Sequence, residues 1–555
     1  MKSVFLRTAL VVALAFMLWP IGIARGAETT PQWVYFRDKG TATVNLVKAL
    51  DQAEEELSPR CRARREKSMS VLADEFDLPV HREYVQSVRQ TGAKVRTVSK
   101  WLNAVSIEAT ANQIEAIEHL SFVGRVEPFR LRRTDRFEPS PCPASRLDDP
   151  DYGPSFRQNE ICRIPELHAR GLSGRGVLIC FLDTGFLLTH RAFDSLNVAA
   201  TRDFIFGDSV VHDEVGQDSA GQHGHGTVVL SAAAGYRDGS LIGPAYSADV
   251  LLAKTEWTAS ETAVEEDYFV AALEWADSLG TDIVSSSLGY HDWYTFEDMD
   301  GQTAVTTQAV NVAVSRGILV VTAAGNSRDN DWGHIIAPAD ADSILATGAV
   351  DTMLAITWFS SPGPTADGRI KPDVCALGEY VYSADPATTD GYFWVGGTSL
   401  STPLVAGIAA LILEAHPNWT AQQVRTAMMS TASRASDPDN NFGWGIVDGV
   451  AAADYVFDSV TNGEPPAVPA ALALRSYPNP VNGRVTLSLT VPHAITGRIE
   501  IYDLLGRRVF AWPENEWPAG EQHLTLNVST LPSGAYVARF ASFHASAVTR
   551  IAIVK

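Results

Sequence analysis

Residues 177–182 (VLICFL), 249–254 (DVLLAK), 282–289 (DIVSSSLG), 318–326 (ILVVTAAGN) and 343–350 (SILATGAV) are short, mostly apolar runs separated by segments of helical spacing. A strand with one face in water alternates apolar and polar residues. A run without that alternation must be covered on both faces. Strands that alternate with helices along a chain pair in parallel, because each crossover returns the chain to the same end of the sheet. The part from about Ile161 to Phe457 is therefore expected to be α/β, a mostly parallel sheet with helices on both faces. In such a sheet the carboxyl ends of the strands carry the functional site.

The flanks have other patterns. Residues 33–36 read as strand, 43–57 as helix and 95–107 as strand. Ile114, Ile117 and Leu120 share one helical face within 112–120, and 122–126 reads as strand. Together they make a small α+β unit. Residues 131–154, rich in Pro, Arg and Asp, read as an exposed linker, as does 461–470 (TNGEPPAVPA). Beyond it, residues 485–491, 498–502, 523–528 and 536–540 alternate as strands do, punctuated by Gly506, Gly520 and Gly534. This is the pattern of a small all-β sandwich.

The chain begins with Lys2 and Arg7, an apolar stretch over 8–23, and Ala24-Arg25-Gly26. That is the layout of a secretory signal peptide, expected over residues 1–26. No other stretch reaches eighteen uninterrupted apolar residues, so no stable membrane span is expected in the mature protein. The formal net charge is -21, and the acidic excess lies beyond residue 150. Such a body repels phosphate backbones, which argues against a nucleic-acid partner. The cysteines number 5: Cys61, Cys142, Cys162, Cys180 and Cys375. Their spacing is not that of a metal knuckle. Cys180 lies inside an apolar run and is expected to pack as a small hydrophobe. A pairing of Cys142 with Cys162 is left open.

Chemistry concentrates in the middle part. Asp183 ends an apolar strand within Asp183-Thr184-Gly185. There a buried carboxylate could orient a neighbour, although alone it would more often be a turn residue. His225 lies in Gly221-Gln222-His223-Gly224-His225-Gly226-Thr227, ahead of a helix of small and apolar residues. His223 and His225 are too few to fill a tetrahedral metal site. Ser399 lies in Gly396-Gly397-Thr398-Ser399-Leu400-Ser401-Thr402-Pro403, at the amino end of a helix apolar nearly all round. Free N–H groups and the helix dipole favour negative charge there, though a lone Ser would more often be a plain cap. Pro403 is expected at an early helical position that uses no N–H.

The order Asp, His, Ser along a parallel sheet is one of the orders in which acyl-transfer triads occur. With D-T-G at Asp183, H-G-T at His225 and G-T-S-x-x-T-P at Ser399, the middle part resembles the subtilases, the subtilisin-like serine peptidases. The likeness continues through residues 320–327 (VVTAAGNS), 337–339, 344–351, 359–363 and 371–373. Val228-Val229-Leu230, Leu400-Ser401 and Cys375-Ala376-Leu377 depart from the usual family pattern without removing a chemical group. The resemblance implies a secreted serine endopeptidase that acts on protein or peptide substrates through an acyl-enzyme. In it Ser399 is the nucleophile, His225 the base and Asp183 its orienting carboxylate. It further implies that Asn326 binds the oxyanion and that Ser287, Leu288 and Gly289 pair with an extended substrate. Ala323, Ala324 and Gly325 would form the other wall of the primary pocket. No cofactor is required for that chemistry. Structural calcium is common in the family and is left open here, with no metal ligand assigned.

Residues 101–109 (WLNAVSIEA) and 113–128 (QIEAIEHLSFVGRVEP) resemble the inhibitor-like propeptide of subtilases. A zymogen inhibited by its own propeptide follows, cut between about Phe129 and Ser155. Tyr477-Pro478-Asn479-Pro480, residues 501–509 (IYDLLGRRV) and 531–536 (LPSGAY) resemble the sorting domains read by the bacterial type IX secretion system. The resulting division is a signal peptide (1–26), propeptide (27–130), processing linker (131–154), catalytic domain (155–457), linker (458–470) and sorting domain (471–555). The protein is expected to be secreted or held at a bacterial cell surface.

Overall fold

The computed structural model describes residues 29–40, 43–69, 71–128, 151–259, 262–457, 472–477, 479, 481–491, 495–503, 507–513, 515–518, 520–529, 531–542 and 546–555. The expected signal peptide, Cys142 and most of both linkers lie outside the described residues.

The first part runs β1 (Thr30–Phe36), α1 (Thr43–Glu55), α2 (Pro59–Glu66), α3 (Arg82–Gln90), β2 (Lys94–Ser99), β3 (Ala104–Ala109), α4 (Ala111–Glu118) and β4 (Val123–Pro128). Its strands form an antiparallel sheet in the order β2-β3-β1-β4. The stretch 95–107, expected as one strand, is a hairpin. It turns through residues 100–103, where Asn103 takes a positive φ of 48°. Helices α2 and α3 were not foreseen, because the Arg-rich PRCRARRE of α2 has no apolar stripe. Along β1 the side chains alternate. Val34 and Phe36 pack with Val88, Ile107 and Ile117 of the same unit. Trp33 and Tyr35 share a second core with Phe269, Leu273, Val305 and Ala309 of the middle part.

That middle part contains α5 (Phe156–Glu160), α6 (Ile164–Ala169), β5 (Leu178–Asp183), β6 (Asn197–Asp203), α7 (Gly224–Ala234) and the hairpin β7 (Tyr236–Arg237) and β8 (Leu241–Ile242). Next come β9 (Asp249–Lys254), α8 (Val264–Leu279), β10 (Ile283–Ser286), α9 (Val305–Ser315), β11 (Leu319–Ala323), β12 (Leu345–Val350) and β13 (Val374–Leu377). The hairpin β14 (Val381–Ala384) and β15 (Tyr392–Val395) leads to α10 (Thr398–Ala415), α11 (Ala421–Ser430) and α12 (Gly449–Ala453). Seven strands make one parallel sheet in the order β13-β12-β11-β10-β5-β9-β6. Ile179 and Phe181 of β5 face α7 and α10, while Leu178, Cys180 and Leu182 face α8 and α9. The expected α/β class, with helices on both faces, is observed. Helix α10 is long and apolar enough to cross a membrane, and it is buried as the core helix.

The last part contains β16 (Ala473–Tyr477), β17 (Arg484–Val491), β18 (Ile495–Asp503), β19 (Arg508–Ala511), β20 (Asn515–Trp517), β21 (Gly520–Asn527), β22 (Gly534–Ser542) and β23 (Ser546–Ile553). One sheet is ordered β16-β17-β21 and the other β19-β18-β22-β23. Their inward residues, among them Leu487, Leu489, Ile499 and Phe540, form one core, which is the expected sandwich.

Candidate active site

The strand order reverses beside β5. The chain leaves β5 for β6 and β9 on one side, then continues through β10 to β13 on the other. The crevice at such a reversal, above the strand carboxyl ends, is the place where a doubly covered sheet can present side chains to a ligand. Asp183 ends β5, and Ser287 follows the end of β10. The strands are in register with Leu182 opposite Ser286, so Asp183 and Ser287 top neighbouring strands.

Asp183 is fully buried. Its Oδ1 accepts the Thr184 N–H at 2.7 Å and lies 2.8 Å from His225 Nδ1. Its Oδ2 is buried and has no hydrogen-bond partner among the described residues. The carboxylate can only accept, so Nδ1 carries the proton and Nε2 of the neutral ring keeps its lone pair. Burial works against the imidazolium, but the charge of Asp183 and the hydrogen bond outweigh it, so His225 titrates above the ordinary histidine value. Helix α7 must come close to β5 for this contact. A Cβ on Gly226 would stand 2.2 Å from Gly185 O and 3.0 Å from Asp183 Cβ, so only glycine fits. His223 lies elsewhere, with its ring 2.6 Å from Asp213 Oδ1.

Ser399 is the second residue of α10, and Gly397 before the helix has a φ of 146°. The helix starts beside Ser399 as expected, but Pro403 lies past its first turn and not at a position that uses no N–H. A residue there would normally donate its N–H to the carbonyl four positions back, at Ser399. Proline has none, and Ser287 Oγ donates to Ser399 O instead, at 2.8 Å. In return Ser399 Oγ donates to Ser287 O at 3.3 Å. The expected bond from that hydroxyl to His225 is not made in this rotamer. A hydroxyl turns freely, and catalytic hydrogen bonds in unliganded sites are often long and tighten with substrate. The helices carrying the two residues, α7 and α10, pack against each other.

Asn326 was expected as an oxyanion donor. Its Oδ1 accepts the N–H and Oγ1–H of Thr398, both at 2.9 Å. That pair turns Nδ2 toward the other side. The position a Cβ on Gly397 would take lies 3.5 Å from Asn326 Nδ2 and 3.7 Å from the Ser399 nitrogen, so both nitrogens border one small space. Thr398 lies within the serine motif, but nothing local marks its part, since its partner is 72 residues away.

Ser287, Leu288 and Gly289 are not the edge of a sheet. They continue the central strand β10 past its last ladder pair, and among the described residues the main chain of Leu288 and Gly289 has no hydrogen-bond partner. The other expected wall is tied down. Ala324 N–H donates to Thr347 O at 3.0 Å, Ala324 O accepts from Ile336 N–H at 3.2 Å, and Gly325 O accepts from Ser361 N–H at 2.9 Å. Among the described residues Cys61, Cys162, Cys180 and Cys375 are buried free thiols; burial pushes those of Cys180 and Cys375 well up. Among the described residues no group of three or more His, Cys, Asp and Glu is placed to hold a metal ion. The buried carboxylates of Asp203 and Asp218, at the same sheet end, are occupied by Lys254 Nζ at 2.7 and 2.6 Å.

Comparison with known proteins bears on three stretches of the chain. The family model described as "Subtilase family" matches residues 174–445. The model described as "Peptidase S8 propeptide domain, Bacteroidota" matches 31–140, and that described as "Secretion system C-terminal sorting domain" matches 475–555. Subtilisin Savinase of Lederbergia lenta is 34% identical over 289 residues, covering 52% of this chain and 94% of that protein. Subtilisin DY of Bacillus licheniformis is 34% identical over 300 residues, covering 53% of this chain and 96% of that protein. A solved protease of Pseudoalteromonas arctica overlays 55% of this chain and 99% of its own, at 24% identity and a TM-score of 0.45. The match to a secretion-system sorting domain marks an exported or cell-surface protein. With a subtilase domain, a propeptide of that family and relatives covered almost end to end, the chain belongs to the subtilase family and is a subtilisin-like serine endopeptidase made as a zymogen.

Proposed function

We propose that Asp183, His225 and Ser399 form the catalytic triad. Ser399 Oγ attacks the scissile carbonyl carbon while His225 Nε2 takes its proton, and Asp183 holds the ring and balances the imidazolium. The tetrahedral oxyanion is met by Asn326 Nδ2–H and the Ser399 N–H. Collapse expels the amine, which receives its proton from His225, and leaves an acyl-enzyme that water hydrolyses by the same steps. An extended substrate lies along Ser287, Leu288 and Gly289 by β-addition, with Ala323, Ala324 and Gly325 opposite. The observation that carries this reading is the small space bordered by Asn326 Nδ2 and the Ser399 nitrogen beside the Ser399 side chain. Such preorganised donors stabilise developing charge most where water is excluded.

The proposed life of the chain runs from export by residues 1–26, through cleavage between about Phe129 and Ser155, to sorting by residues 471–555. Residues 27–130 act as the intramolecular inhibitor and 155–457 as the enzyme. A small alkyl fluorophosphonate tests the nucleophile. Wild type should be labelled at Ser399, and the Ser399→Ala protein should stay blank. Equal labelling of both would remove Ser399 from the mechanism.

A further inference from the structure

The walls assigned to substrate converge on a side chain that sequence reasoning passed over. Ile336 is half-buried and directly precedes the cis peptide Ala337-Pro338. Its N–H bonds to Ala324 O, and the next residue, Ala337, pairs both ways with Tyr290, at 2.8 and 3.0 Å. Residues 336–337 thus tie the wall at Ala324 to the strand that follows Gly289. The isoleucine side chain then stands between the two walls. A Cβ on Gly289 would meet Ile336 Cδ1 at 2.4 Å and Cγ1 at 2.6 Å. A Cβ on Gly325 would meet the same Cγ1 at 3.0 Å and Cδ1 at 3.1 Å, and Gly325 has a φ of 108°. The end of the isoleucine therefore touches the bare backbone of both walls. The proposed nucleophile is tied to the same strand end. Ser287 O, two residues before Gly289, accepts from Ser399 Oγ, and Asn326 follows Gly325.

We infer that Ile336 is the specificity-determining floor of the primary pocket. By filling the space between Gly289 and Gly325, it restricts the residue whose carbonyl Ser399 attacks to Gly, Ala or Ser. This rests on the peptidase reading above and narrows it to a substrate class. A chain segment that presents a small residue can lie flat on Leu288 and Gly289, whereas an aromatic or long aliphatic side chain there would collide with the isoleucine. Close-packed groups cannot absorb such a collision without displacing backbone that is hydrogen-bonded on both sides.

The test uses the full-length chain, expressed and collected as the secreted product, with peptide anilides that differ only in the last residue: Gly, Ala, Leu or Phe. Wild type should favour Ala over Phe by at least about tenfold in kcat/KM, within the range that pocket shape commands. Ile336→Gly should raise the Phe-to-Ala ratio of kcat/KM by about 10- to 100-fold. Ile336→Ala, which disturbs the backbone less, should give an intermediate ratio. Cleavage of Phe as readily as Ala by wild type would overturn the inference. So would an unchanged ratio in both variants whose near-ultraviolet circular dichroism matches wild type. The alkyl fluorophosphonate, which carries no such side chain, separates the two levels. Labelled Ser399 with no preference refutes the slot alone, and unlabelled Ser399 refutes the peptidase reading and the slot with it.

Discussion

Above the carboxyl ends of β5 and β10, the functional side chains are held by clearance and by single neutral or half-charged bonds. Gly226 lets α7 reach Asp183, Thr398 turns Asn326, and Ser287 exchanges one bond each way with Ser399. On the far face the arrangement is the opposite. The N-terminal unit lies across α8 and α9 with buried charge beside the apolar patch of Trp33 and Tyr35. Arg64 pairs with Asp277 and donates to Thr281 O and Arg316 O. Arg65 bridges Asp77 and Asp277, Arg316 pairs with Asp74 and Asp77, and Arg96 meets Asp267. Ser99 and the N–H of Trp101 donate to Glu274. Neutral close packing barely responds to conditions, which suits a site that must keep its geometry. Buried charge pairs are costly to desolvate and strongly destabilised when one partner is lost, so a contact built from them can be undone by changing one group. That suits a cover made to be removed.

Breaking the first region should have the largest effect. His225→Ala is expected to lower turnover by about 10⁴-fold and to leave the chain unprocessed, seen as a single high-mass band on electrophoresis. Asn326→Ala should lower kcat by roughly 10²–10³ with KM little changed, a magnitude measured on a member of this same family. Equal loss in both constants would assign Asn326 to binding alone. Thr398→Val keeps the N–H and removes only Oγ1, so a smaller fall of about tenfold is expected, scaled from the net value of one hydrogen bond.

Disturbing the second region should change retention of the N-terminal unit and leave chemistry alone. Asp277→Ala takes from Arg64 its carboxylate and leaves Arg65 with Asp77 alone, and up to about 3–5 kcal/mol should be lost from the contact. Gel filtration of the processed protein would show the N-terminal fragment eluting separately, and co-elution unchanged from wild type would contradict the account.

The regions should also answer pH in opposite senses. His225 titrates above the ordinary histidine value near 6.5, and its neutral form is the base, so activity should be lost as pH falls through a point above 6.5. Burial pushes Asp267 up to about 6, against the charge of Arg96 and the hydrogen bond from Ser106. A carboxyl whose value is raised in the folded contact stabilises it when protonated. That contribution is present below the ordinary carboxyl range and is lost as pH rises toward 6. Fragment retention should weaken by up to about tenfold per pH unit between roughly 4 and 6, and Asp267→Asn should flatten that slope.

Much of the middle part was readable from residues. The apolar runs at 177–182, 249–254, 318–326 and 343–350 match β5, β9, β11 and β12, with β5 reaching one residue further, because burial on both faces leaves no polar alternation to confuse them. Strand β6 was not read, since its residues are mostly half-exposed, and β13 is only four residues long. The 95–107 hairpin was missed because its turn contains neither Gly nor Pro. At the proposed site, Asp183, His225, Asn326 and Ser399 stand in short local motifs that single them out along the chain. Pro403 was expected where no N–H is used, yet it lies past the first turn of α10, and the Ser287–Ser399 exchange spans 112 residues. Ile336 gave no signal at all, being an isoleucine in an apolar stretch.

Periodicity and residue type, which are local, determined that strands would be buried in parallel, where the chain would turn polar, and which acids, bases and hydroxyls were available. Which atoms meet was decided by the sheet, because parallel crossovers bring together strand ends separated by more than a hundred residues, and no neighbour along the chain reports that distance. The orientation of Asn326, the partner that replaces the missing proline N–H, and the side chain filling the space between Gly289 and Gly325 belong to that second kind.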